Sequence, residues 1–137
     1  MDGHGIKILV AEDDESTRNL LTLQLEQEQY EVHLAADGYD ALEYMFKRVV
    51  DVVITDWQMP RLSGADFLSL SRILWPNVPV IIVSGYAPPS DKKFPGDASA
   101  WLIKPYERNQ LLQVLRMAVQ TTAHHHQEQS ITTAVLP

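Results

Sequence analysis

Three acidic residues in a row, Glu12, Asp13 and Asp14, follow the apolar run Ile6 to Ala11. Asp56 closes a second apolar run, Val52 to Thr55, and Ser84 closes a third, Val80 to Val83. An amine, Lys104, followed by Pro105, closes a fourth, Trp101 to Ile103. Runs this short, rich in β-branched or aromatic residues and nearly continuous, suit strands buried on both faces. In an open parallel sheet, ligands bind outside the carboxyl ends of the strands. One sheet edge therefore gathers several carboxylates, one hydroxyl and one amine. Two carboxylates about 4 Å apart repel by on the order of 4 kcal/mol at an effective dielectric of 20. Magnesium offsets that repulsion, because a hard cation takes one or two carboxylates and leaves room for water and phosphate oxygens. Proton uptake by one acid is the other solution. With the metal present, Asp56 can act as a nucleophile toward phosphorus. Lys104 would neutralise the phosphoryl oxygens and Ser84 would donate a hydrogen bond to one of them, the electrostatic positioning that phosphoryl transfer chiefly needs.

The elements that must position these groups are legible in the periodicity. Glu31 to Ala35 alternates more than the other runs, as expected of a fifth strand nearer a sheet edge. Between the runs lie helical stripes: Thr17, Leu21 and Leu25; Ala41, Leu42, Met45 and Phe46; Phe67, Leu70 and Leu74; Leu111, Leu115, Ala118 and Val119. Strand and helix alternate, which predicts an α/β fold with a parallel sheet and helices on both faces. Ser63 with Asp66 three residues on resembles a helix cap, and Asp37-Gly38 reads as the turn into the second helix. After Val83, Pro95 and Gly96 interrupt the stretch where a fourth helix belongs, so that helix is expected to be short or distorted. From Thr121 the apolar period lapses through His124, His125 and His126, and residues 121–137 read as a flexible tail. A metal- or phosphoryl-binding role for the three histidines is the weaker reading.

The chain has 137 residues, room for one domain, read here as 1–120. Its formal net charge of -7 argues against a direct nucleic-acid partner, whose phosphates it would repel. No cysteine is present, which excludes disulfide and thiolate-metal frameworks. Met1 to Gly5 lacks the apolar stretch of a signal peptide, and no run approaches the roughly 18 apolar residues of a membrane span, so a cytoplasmic protein is expected.

In order and spacing, the motifs Ile8-Leu9-Val10-Ala11-Glu12-Asp13-Asp14, Asp51 to Pro60 with Gly64 beyond it, Pro79 to Gly85 and Trp101-Leu102-Ile103-Lys104-Pro105 resemble those of response-regulator receiver domains of two-component signalling systems. Ala36-Asp37-Gly38 with Ala41-Leu42 matches the turn before that family's second helix, and the likeness covers roughly residues 6 to 120. The resemblance implies a flavodoxin-like, doubly wound five-stranded parallel sheet in the order 2-1-3-4-5. It implies Asp56 as phosphoacceptor, with Glu12, Asp13, Asp56 and the backbone carbonyl of Gln58 holding Mg2+, for which Mn2+ can substitute. Ser84 and Lys104 would be the switch hydroxyl and the lysine of the site. Glu12 departs from the aspartate usual at its position; it lengthens one arm and leaves room for a water before the metal. Lys104-Pro105 matches the family's cis peptide bond. Trp101 stands where the family has a rotating aromatic, usually tyrosine or phenylalanine, and a core role is its competing reading. Gln58 and Tyr86 occupy positions that tune loss of the phosphoryl group, and a bulky Tyr86 predicts slow autodephosphorylation.

The resemblance implies a histidine kinase or histidine phosphotransfer protein as donor, no separate substrate, and self-phosphorylation and self-dephosphorylation as the only chemistry. Phosphorylation would shift an existing equilibrium toward an active surface around the fourth helix, fifth strand and fifth helix, which in this family often supports a dimer. The downstream target stays open, as does whether the domain stands alone, serves in a phosphorelay or belongs to a larger regulator. Two rivals remain. A phosphatase of the haloacid dehalogenase type would want an acid two residues beyond its nucleophile, where this chain has Gln58. A receiver-fold binding module that has lost phosphorylation would want fewer of the expected side chains.

Overall fold

The structure is a computed structural model and describes residues 3–88 and 98–120. Eight elements run β1 (Lys7–Ala11), α1 (Glu15–Glu26), β2 (Glu31–Ala35), α2 (Gly38–Lys47), β3 (Val52–Asp56), α3 (Gly64–Leu74), β4 (Val80–Ser84) and β5 (Ala100–Ile103). A further helix spans 108–120 and is labelled α4 as the next among the described residues. It is the fifth helix of the sequence reading. The expected short fourth helix falls largely on 89–97, outside the described residues, as do the tail and His124 to His126.

All five strands pair in parallel, in the order β2-β1-β3-β4-β5. The three central strands are the continuous apolar runs. β1 and β3 are each buried at four of their five positions and β4 at all five. β2, buried only at Ala35, lies at one edge, as its sequence pattern suggested. Because successive side chains point to opposite faces, each central strand feeds two layers. Ile8, Val10, Val52, Ile54, Ile81 and Val83 pack with Leu21 and Leu25 of α1 and with Leu111 and Leu115 of α4. Leu9, Val53, Val80 and Ile82 pack on the other face with Ala41 and Met45 of α2 and with Phe67 and Leu68 of α3. Each large aliphatic side chain so buried contributes about 1.5–3 kcal/mol relative to exposure.

Two helical stripes are narrower than the periodicity implied. α2 buries Gly38, Ala41 and Met45, whereas Phe46 is 67% exposed. α3 buries Gly64, Phe67, Leu68 and Ser71, a stripe rotated away from the expected one, and Leu70 and Leu74 are left 38% and 44% exposed. The sheet meets only one side of each helix, so apolar residues one position off that side stay in water.

The helix entries use side-chain acceptors for amides that have no partner within the helix. Asp14 accepts from the Thr17 amide at 2.8 Å, Asp37 from Asp40 at 2.9 Å and Ser63 from Asp66 at 3.1 Å. The last is the cap that the sequence suggested, and Asp37 lies in the turn it suggested before the second helix.

Candidate functional site

The strand order reverses at the β1–β3 pair, which makes the carboxyl end of that pair the crevice where ligands bind in open α/β sheets. Register sets the contents of this crevice. Ala11 pairs with Thr55, so Glu12 emerges beside Asp56; Asp56 pairs with Val83 and Ser84 with Ile103, so Ser84 and Lys104 emerge on the other side. Glu12, Asp13 and Asp56 each bring a carboxylate oxygen to within 4.8 Å of the others. Lys104 Nζ lies 3.1 Å from Asp56 Oδ1 and 3.2 Å from Glu12 Oε1. Four sequence-predicted residues from three strand ends thus meet in one place.

Glu12 is 3% exposed. Its amide donates to the Ala35 carbonyl at 3.0 Å, and its own carbonyl accepts from Arg18 Nη1 at 2.8 Å. Its second carboxylate oxygen accepts from the Asp14 amide at 3.1 Å. Burial pushes the Glu12 carboxyl above its ordinary pKa, and the hydrogen bond to Asp56 pushes the same way. For Lys104, burial acts to lower the pKa, but the hydrogen bond and charge of Asp56, with Glu12, outweigh it and leave the amine above its ordinary value. Lys104 therefore stays charged near neutral pH. Three carboxylates against one ammonium leave two negative charges, the amount that one divalent cation neutralises. The all-oxygen donor set is also the one that magnesium prefers.

Close backbone packing fixes the loop after Asp56. The Gly64 amide donates to the Trp57 carbonyl at 2.8 Å, and a Cβ on Gly64 would stand 2.0 Å from the Asp56 carbonyl oxygen. Only glycine lets α3 begin this near to β3. Thr55, fully buried, donates its hydroxyl to the Asp56 carbonyl at 3.0 Å. Gln58 is exposed in the same loop.

Ser84, Tyr86 and Trp101 form a linked group beside the acidic cluster. The Ser84 hydroxyl is 5% exposed and accepts from the Tyr86 amide at 3.1 Å. The Tyr86 carbonyl accepts from the Trp101 indole N–H at 2.9 Å, while the Tyr86 residue is 73% exposed. Trp101 packs on Trp57, the residue after Asp56, with ring centroids 4.9 Å apart. The Lys104-Pro105 bond is cis. Sequence reasoning did not reach Arg18, Thr55, Trp57 or the capping role of Asp14; Asp14 with Thr17 three residues later was the one signal available.

A family model described as the response regulator receiver domain matches residues 8–116. The chain belongs to this family. Response regulator MprA of Mycobacterium sp. (strain KMS) is 31% identical over 120 residues, 86% of this chain and 52% of that protein. Transcriptional regulatory protein DltR of Streptococcus agalactiae serotype III is 32% identical over 114 residues, 82% of this chain and 51% of the relative. The receiver domain thus spans about half the length of these relatives. The response regulator TrrA of Thermotoga maritima, solved in complex with Mg2+ and BeF, is 26% identical with a TM-score of 0.77, over 82% of this chain and 98% of that one. The five-stranded order that the resemblance implied is the one observed. Receiver domains bind magnesium at an acidic site, and Glu12, Asp13 and Asp56 supply such a cluster here. No described helix is long and apolar enough to cross a membrane.

Proposed function

We propose that this receiver domain accepts a phosphoryl group on Asp56 from a phosphohistidine of a histidine kinase or phosphotransfer protein. The observation that carries the reading is Lys104 Nζ standing 3.1 Å from Asp56 Oδ1 within a three-carboxylate cluster. That arrangement sets a nucleophile beside the cation that would meet the incoming oxygens. Glu12 and Asp13, with Asp56 and the Gln58 carbonyl, would hold magnesium, and manganese can substitute. When bound, the metal withdraws charge from the phosphoryl oxygens and screens the carboxylates from one another.

In the transfer, an Asp56 oxygen bonds to phosphorus as the P–N bond of the donor breaks and the electron pair leaves with the imidazole nitrogen. Lys104 neutralises an equatorial oxygen, and Ser84 turns its hydroxyl from the Tyr86 amide to donate to another. The aspartyl phosphate carries roughly -1.5 to -2 charges where the free carboxylate carried -1. Losing its Ser84 acceptor, the Tyr86 backbone shifts, and Trp101, held to the Tyr86 carbonyl, shifts with it. The output and any phosphorylation-linked dimer would use this side of the molecule. Tyr86 is expected to shield the site and slow loss of the phosphoryl group.

The test is the intact mass of wild type and Asp56→Asn after incubation with magnesium and acetyl phosphate. One added phosphoryl group in wild type, dependent on magnesium and absent in the variant, is the expected result. No gain in either, with a cognate kinase also failing to label the protein, would replace this reading with a phosphorylation-independent binding module.

A further inference from the structure

Arg61, in the loop between β3 and α3, stands in the left-handed region at φ 68. The Leu62 amide donates to the Pro60 carbonyl at 2.8 Å, so Arg61 is the apex of a three-residue turn, and with φ positive that turn is of the strained kind. Glycine or asparagine would hold such a position at lower cost. Strain kept at one residue beside a site is a reason to ask what its side chain does. Arg61 Nη1 lies 3.2 Å from Asp37 Oδ2, and the guanidinium carbon stands 5.1 Å from the centre of the Tyr39 ring. The Asp37 side chain is 6% exposed, and its other oxygen caps α2 by accepting from the Asp40 amide at 2.9 Å. A carboxylate so nearly removed from water is costly without an opposing charge, and Arg61 provides one. The entry of α2 also presses on the turn through backbone, since a Cβ on Gly38 would stand 2.5 Å from the Leu62 carbonyl oxygen. The loop is thus held at two points. Gly64 closes it on Trp57 at its base, and Arg61 and Leu62 fasten its turn to the first residues of α2. Gln58 lies between those two points in the chain.

We propose that Arg61 is a positioning residue: by clamping the β3–α3 loop to the Asp37 cap of α2, it sets the Gln58 backbone for magnesium. The inference rests on the magnesium site proposed above, and it gives Arg61, Asp37 and Tyr39 no contact with the metal or the phosphoryl group. Magnesium demands near-ideal octahedral geometry, so a backbone ligand on a loop that wanders costs affinity. Groups that orient a ligand without touching the metal typically change affinity by about 10–100-fold. A plain strut between α2 and α3 is the competing reading. Such a strut would move stability and leave magnesium affinity alone, because Glu12, Asp13 and Asp56 stand at the ends of β1 and β3 and are placed without the turn.

The experiment measures magnesium dissociation constants by calorimetry on the full chain, together with urea unfolding of the same proteins in EDTA. Arg61→Ala should bind magnesium about tenfold more weakly than wild type. Asp37→Asn keeps a side chain that caps α2 but loses the charge, and should weaken magnesium by a similar factor. The double variant should be no weaker than either single one, because the two residues act as one clamp. Arg61→Lys keeps the charge and should recover most of the affinity. Arg61→Gly relieves the left-handed turn, so it should unfold no earlier than Arg61→Ala yet bind magnesium just as weakly. That pairing separates affinity from stability. Magnesium affinity of Arg61→Ala within about twofold of wild type, or losses that add in the double variant, would overturn the clamp and leave the metal site standing. No magnesium binding by wild type at millimolar metal would overturn the site itself, and this inference with it.

Discussion

Glu12 carries the sharpest conflict in the molecule. It is a buried acid whose neighbours are two further carboxylates, and Lys104 pairs with Glu12 and Asp56 of the three. In metal-free protein, replacing it by glutamine removes a like charge while keeping the shape. Glu12→Gln is therefore expected to unfold at higher denaturant concentration than wild type in EDTA. The order should reverse when magnesium is added, because binding to the folded state alone at ten times Kd adds about 1.4 kcal/mol. Equal magnesium stabilisation of both proteins would remove Glu12 from the metal site. Asp14 gives the complementary pH prediction. The Thr17 hydroxyl and amide that it accepts hold its carboxyl below the ordinary 3.8. A depressed acid contributes stability that is present above pH 3.8 and lost as pH falls through the lower folded value. Denaturation of wild type and Asp14→Asn between pH 6 and 3 should show a difference that shrinks with acid. A constant difference would mean that the cap does not depend on charge.

At the scale of elements, α3 is tied to the site by a missing side chain. Gly64→Ala would drive a methyl into the Asp56 carbonyl, 2.0 Å away, and should cost about 1–3 kcal/mol or more as β3 and α3 separate. Chemical denaturation measures this; a loss under 0.5 kcal/mol would mean that the loop relaxes freely. What the sequence disclosed about elements follows from where each signal originates. Strands carry their evidence in their own residues, the central three as continuous apolar runs, which is why all five were read within a residue or two of their observed bounds. The cluster of Glu12, Asp13, Asp56 and Lys104 was legible for the same reason, since each group sits at a strand end. Helix faces are decided by what lies opposite, and no local pattern distinguishes Phe67, buried, from Leu70 one turn on. The same holds for Arg18, which reaches the Glu12 carbonyl six residues back, and for Trp57, whose partner Trp101 lies two strands away across the sheet.

Across the whole molecule, the question is how a charge at the carboxyl edge reaches the surface beyond β5. The contacts form one continuous path. Asp56 is followed by Trp57, Trp57 packs on Trp101, the Trp101 indole holds the Tyr86 carbonyl, and the Tyr86 amide holds the Ser84 hydroxyl. Both ends of the path lie at the site, so under the proposed phosphorylation, drawing Ser84 toward the phosphoryl group would loosen the bond that its hydroxyl accepts from the Tyr86 amide. Two tryptophans in ring contact make this movement visible. Adding beryllofluoride and magnesium to the Trp75→Phe protein, in which only Trp57 and Trp101 remain, should change the emission intensity. Ser84→Ala should still bind beryllofluoride through Asp56 and Lys104 while most of that change disappears. If emission responds fully without the Ser84 hydroxyl, the signal reaches Trp101 through Trp57 directly, and the hydroxyl serves the chemistry alone.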